Sequence, residues 1–180
     1  MNILNSADIQ QLHSMLLSAK CPIIVTHMRP DGDAIGSSMG MYHTLTKTYG
    51  CKAQVALVNP VPANLDFLLP AENTDKIIIH ENAKEKAEKA IMDSDLILCL
   101  DFNDFHRTDT LQETLEKSEA HKVLIDHHLA PATEKFSLVF SETEISSASE
   151  LLYHILMSLP PLKHTATALP PEAAVGTNGR

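Results

Sequence analysis

Three apolar runs rich in β-branched and aliphatic residues set the frame of this chain: Ile23-Ile24-Val25, Leu96-Ile97-Leu98 and Val123-Leu124-Ile125. None alternates with polar residues, which is how parallel strands covered on both faces read. The same reading predicts strands over 22–26, 53–58, 76–80, 95–101 and 122–126, with 136–140 at an edge. Between them the pattern turns helical. Ile9, Leu12 and Leu16 share a helix face over 5–19, with Ser6 as N-cap. Further helices are expected over 36–49, closed by Gly50, and over 81–92, 104–118 and 147–159. The last opens on Ser147-Ala148-Ser149-Glu150, a capping box. Pro30 and Gly32 are expected to hold 27–35 as a loop, and Asn59-Pro60-Val61-Pro62 to end the second strand.

Strand and helix alternate almost throughout. The expected architecture is therefore α/β: a doubly wound, mainly parallel sheet with helices on both faces. Residues 1–159 read as one domain. Pro160, Pro161, Pro170 and Pro171 interrupt 160–180, which presents no amphipathic face and reads as a poorly ordered tail or linker stub.

Each of the three runs ends in acidic and histidine residues. His27-Met28-Arg29-Pro30-Asp31-Gly32-Asp33 follows the first, Asp101 closes the second, and Asp126-His127-His128 the third. Functional groups of open α/β sheets gather outside the carboxyl ends of strands. Carboxylates and imidazoles converging there suit divalent cations such as Mn²⁺. Two such ions roughly 3.5–4 Å apart can activate water and clamp a phosphoryl group. Gly32 lets the backbone turn between Asp31 and Asp33, so that the two carboxylates could serve neighbouring ions.

Plainer readings exist for each residue. Asp31-Gly32-Asp33 also describes a turn, and Asp101 also suits an N-cap, although Asp104 is the better-placed cap. Arg107 could grip a phosphate bidentately or pair with Asp104 or Asp109. Ser37 and Ser38 could host an anion at a helix N-terminus or act as ordinary caps. Asp126-His127-His128 is hardest to assign to structure, because adjacent histidines point in different directions: one can ligate while the other meets substrate. Of the remaining histidines, His106 lies nearest Asp101.

Composition narrows the partners. The 180 residues are 44% hydrophobic, enough for one sizeable core, with no Trp. A net charge of -9 without a basic patch argues against a long duplex track. Cys21, Cys51 and Cys99 include no CxxC pair and read as structural thiols. No apolar run approaches a membrane span, and the first residues lack a basic region followed by an apolar stretch; a cytoplasmic protein is expected.

Together these residues resemble the DHH family of phosphoesterases, most closely its branch of nanoRNases and pAp phosphatases. His27-x-x-Pro-Asp31-Gly-Asp33-x-x-Gly36-Ser37 is similar to the first motif, Asp101-Phe-Asn to the second, and Asp126-His127-His128 to the third. Ser147-Ala-Ser-Glu150 resembles the helix that follows, and the likeness covers about 5–158. The resemblance implies that His27, Asp31 and Asp101 bind one Mn²⁺ and that Asp33, Asp101 and His127 bind a second, Mg²⁺ or Co²⁺ being the substitutes. His128 and Asp126 are then the catalytic candidates, with Asn103, Arg107 and Ser37 toward substrate. Short oligoribonucleotides and 3′-phosphoadenosine 5′-phosphate are the implied substrates, and a homodimer stays open.

Two departures stand out. The family's further metal-binding Asp after the Ser-x-x-Ser-Glu helix has no match, since the only acidic residue beyond Glu150 is Glu172. The family's C-terminal substrate domain has no match either. The resemblance therefore implies the catalytic half of such an enzyme. The alternatives are an inactive or regulatory metal- or nucleotide-binding fragment, or a DHH pyrophosphatase, single-strand exonuclease or cyclic-dinucleotide phosphodiesterase.

Overall fold

A computed structural model describes residues 4–72 and 74–162. Six strands, β1 (Pro22–Thr26), β2 (Gln54–Leu57), β3 (Ile77–Ile79), β4 (Leu96–Leu100), β5 (His121–Asp126) and β6 (Leu138–Ser141), form one sheet in the order β3-β2-β1-β4-β5-β6. All five pairings are parallel. The expected edge strand is thus present as β6, parallel like the rest.

Alternate strand residues feed two cores, as a period of two requires. On one face Ile24, Leu98, Leu100 and Ile125 pack against Leu12 and Leu16 of α1 (Ser6–Ser18), Ile35 and Met39 of α2 (Gly32–His43), and Leu151 and Ile155 of α5 (Ala148–Ser158). On the other, Ile23, Val25, Ile97, Cys99 and Leu124 meet Ile91 of α3 (Lys84–Met92), Leu115 of α4 (Gln112–Lys117), and Phe102 and Phe105. Both faces are covered, so β1 and β4 are buried at every position.

Local chemistry moves several expected boundaries. The helix expected from 36 begins at Gly32, inside the presumed loop. Pro30 precedes it, where a missing N–H costs nothing, and Asp31 caps it by accepting from the amides of Asp33 and Ala34 at 3.0 Å each. Its far end widens into a π turn over Thr44–Thr48 before Gly50 stops it at φ 68°. Asn5, not Ser6, caps α1. The helix expected over 104–118 divides into a 3-10 segment, Phe105–Leu111, and α4, because Asp109 sits at φ 45°, ψ -110°. Asp104 occupies the N-cap position but caps nothing; Lys135 holds its carboxylate at 2.5 Å. Ser147 accepts from the Glu150 amide, while Glu150 turns back to Ser146, so only half of the capping box closes.

The register positions the site. Thr26 lies opposite Leu100, and Leu100 opposite Ile125. The chain therefore leaves β1, β4 and β5 at one level, and β1–β4 is where the strand order reverses. The tail reading for 160–180 falls almost wholly outside the described residues. Among those described, no helix is long and apolar enough to cross a membrane.

Candidate metal centre

Asp101 is the hub. It is the first residue after β4, and its φ of 64° is left-handed, a conformation that costs a non-glycine residue about 1–2 kcal/mol. Its amide donates to the Ile125 carbonyl at 3.1 Å, and the residue is buried at 2% exposure. Oδ2 lies 3.5 Å from His27 Nε2. Oδ1 lies 3.5 Å from His127 Nε2 and 3.9 Å from His128 Nδ1. That Oδ1 is buried without a hydrogen-bond partner. An orphaned carboxylate oxygen inside a protein is expensive and calls for an explanation. Ringed by imidazole nitrogens, it fits a cation.

The donors fall into two groups that share Asp101. Ligand atoms of His27, Asp31 and Asp101 lie within 4.8 Å of one another, as do those of Asp101, His127 and His128. Asp101 is thus placed as a bridging carboxylate would be. His27 Nδ1 lies 2.8 Å from the Met28 carbonyl. Donation there fixes the tautomer and leaves Nε2 as the donor facing Asp31 and Asp101. Asp31 lies with Oδ1 3.9 Å from that nitrogen. The Asp101 hydrogen bond raises the His27 pKa above its ordinary value, against the opposing effect of burial. Burial raises that of Asp101, opposed by His27 and reinforced by the charges of Asp33 and Asp31.

Asp33 lies at the rim. Its Oδ2 is 3.7 Å from His127 Nε2, but both oxygens already accept from the first amides of α5, Ala148 at 2.7 Å and Ser149 at 2.8 Å. Asp126 is fully buried and turned wholly to His128, taking Nδ1 at 2.7 Å and the amide at 3.1 Å. Both of its carboxylate oxygens are thus engaged with His128.

The residues expected to face substrate divide. Ser37 is buried, with its hydroxyl donating to the Asp33 and Ala34 carbonyls inside α2, so it is a helix residue. Asn103 donates to the Leu129 carbonyl at 2.8 Å and clamps the loop that carries His127 and His128. Arg107 is half-buried; its carbonyl accepts from the Met28 amide at 2.8 Å, tying its segment to the His27 loop. The expected pairing of Arg107 with Asp104 or Asp109 does not form: Asp104 is taken by Lys135 and His106, and no carboxylate among the described residues pairs with the guanidinium. His106 is exposed and outside both donor groups.

Fold and crevice together define an α/β protein whose carboxylates and imidazoles converge at the topological switch point of a parallel sheet. The chain belongs to the DHH family: the model of that family's N-terminal domain matches residues 22–175. It is 30% identical over 136 residues to the "Bifunctional oligoribonuclease and PAP phosphatase NrnA" of Bacillus subtilis (strain 168), covering 75% of this chain and 37% of that protein. An exopolyphosphatase-related protein from Bacteroides fragilis superposes with a TM-score of 0.79 at 36% identity, over 87% of this chain and 45% of the other. Exonuclease RecJ shares the fold, at 19% identity and a TM-score of 0.53, over 89% and 41%. The chain spans less than half the length of each of these relatives.

Proposed function

We propose that this domain is the catalytic part of a two-metal phosphoesterase, with Mn²⁺ as the working ion and short oligoribonucleotides and 3′-phosphoadenosine 5′-phosphate as substrates. The observation that carries the proposal is Asp101, shared by two donor groups and holding a buried oxygen without a partner. The substrates are taken from the NrnA relative's name and from the nanoRNase-like motifs around Asp101 and Ser147. His27, Asp31 and Asp101 would hold one ion; Asp101 and His127 would hold the second, with Asp33 or His128 completing it. Ions there would lower the pKa of water and neutralise phosphoryl charge. Asp126 holds His128 so that the ring can give a proton to the leaving oxygen. Arg107, its guanidinium uncommitted, is available to a phosphate oxygen pair.

Incubation with Mn²⁺ and a diribonucleotide should release mononucleotides, and 3′-phosphoadenosine 5′-phosphate should release phosphate, both above a His127→Ala control. Tight binding of a single ion with no turnover of either compound would instead favour a regulatory metal-binding domain.

A further inference from the structure

Beside the metal crevice lies a second cavity of about 360 Å³, lined by Val58, Asn59, His80, Glu81, Lys84, Asp109 and Thr110. Asn59 and Glu81 follow the carboxyl ends of β2 and β3, so the cavity continues the crevice along the same end of the sheet. The two are joined by backbone. Asn59 Oδ1 accepts from the Arg29 amide at 2.9 Å, inside the His27–Asp31 loop, and Thr110 lies on the connection whose Arg107 carbonyl binds Met28. Asp109, in the cavity lining, is held at φ 45°, and Arg29, bonded to Asn59, at φ 52°.

Polar and charged residues make up most of its lining, and several are hydrogen-bonded to one another. His80, 6% exposed, stands between Thr110 Oγ1 at 3.1 Å and Glu88 Oε1 at 3.4 Å. Glu81 Oε2 accepts from Asn59 Nδ2 at 3.0 Å. Two carboxylates, Glu81 and Asp109, against one Lys84 make a poor phosphate site. They make a good site for a neutral group rich in donors. An acidic side chain beyond a strand end of a doubly wound sheet is a natural acceptor for ribose hydroxyls.

We infer that this cavity takes the ribonucleoside attached to the scissile phosphate, with Glu81 accepting a hydrogen bond from the ribose 2′-hydroxyl. Glu81 is then a specificity residue that separates ribonucleotides from deoxyribonucleotides. The inference rests on the phosphoesterase reading above.

The test titrates the full chain, in Mg²⁺, with adenosine 5′-monophosphate and its 2′-deoxy analogue. Methyl resonances of Val58 and Thr110 report on the cavity, and ring resonances of His27 and His127 on the crevice. The expected result is a shift at both places, with the ribonucleotide binding about fivefold tighter, the value of one hydrogen bond. In Glu81→Ala, an exposed position, the preference should collapse to near unity. Shifts in the crevice alone would overturn the inference and spare the phosphoesterase reading. Shifts in the cavity alone would count against that reading and overturn the inference with it, because the nucleoside would then lie apart from the crevice that holds the phosphate. No shift at either would overturn both. A preference that survives Glu81→Ala, or is absent in the unaltered chain, would overturn the role given to Glu81.

Discussion

Asp33 Oδ2 accepts the amide of Ala148 at 2.7 Å across 115 positions of sequence. With Ser149 held at 2.8 Å by the other oxygen, Asp33 caps α5 from the first turn of α2. A charge-assisted bond of this kind at a helix N-terminus is stabilising. Crowding with Asp31 and Asp101 acts the other way. The two hydrogen bonds should win, because they are short and specific. Asp33→Ala is therefore expected to lower stability in metal-free buffer by about 1–2 kcal/mol, as loss of a helix cap does. Urea unfolding measures it. An increase would show that Asp33 is chiefly a crowded charge.

Asp101 gives the opposite expectation. Its charge is buried and its Oδ1 lacks a partner, so the metal-free protein should tolerate an amide better than a carboxylate. Asn also accepts the left-handed backbone at φ 64°. Asp101→Asn should melt at or above the temperature of the unaltered chain without metal, yet lose the stabilisation that millimolar Mn²⁺ confers by linkage. Asp101→Ala should melt lower, since it keeps the strain without a side chain that relieves it. A Mn²⁺-dependent rise in melting temperature that persists in Asp101→Asn would remove Asp101 from the centre.

Asp126 offers a way to separate the two roles open to His128. Both of its oxygens serve that one residue. If His128 gives a proton to the leaving group, Asp126→Asn should cut kcat about 100-fold and move the pH profile, with Mn²⁺ affinity little changed. If His128 is a ligand, the same variant should weaken Mn²⁺ binding 10–100-fold, roughly the cost of losing an outer partner of a ligand. Turnover and calorimetry together decide between these.

The core was legible because parallel strands leave a simple mark: β1 and β4 are buried at every residue, and a short, β-branched aliphatic run bounded by breakers suits a strand better than a helix. The convergence of His27, Asp101 and His127 followed from strand ends alone, since the site needs only their level in the sheet. Local conformation was harder. The helix start at Gly32 is hard to place, because a proline signals a break whether it blocks a helix or merely precedes one. Asp101 and Arg29 adopt positive φ without being glycine, so no residue type announces the turn. The bond from Asp33 to α5 had no signal either, because it joins segments whose spacing only the packed structure sets. Ser37 looked like a binding residue for its place after the motif, but a serine inside a helix returns its hydroxyl to its own backbone.

Protons and metal compete for the same atoms, and this fixes the pH dependence of stability. Folding raises the pKa of His27 above 6.5 through its bond to Asp101, and burial raises that of Asp101 above 3.8. Both groups bind protons more tightly folded than unfolded. The stability each contributes is complete below its unfolded pKa and is lost as pH climbs through its folded pKa. For His27 that loss begins above 6.5. In metal-free buffer the melting temperature should therefore fall between about pH 6 and about pH 8. His27→Gln, which has no such proton, should show a flatter profile, and the difference between the two isolates the His27 contribution. With Mn²⁺ present the slope should reverse, because ligation needs the deprotonated imidazole and carboxylates, and binding strengthens as they lose protons. Melting curves in chelator and in Mn²⁺ across this range measure both slopes. A metal-induced rise in melting temperature that is the same at both ends would place the ion on groups other than His27 and Asp101.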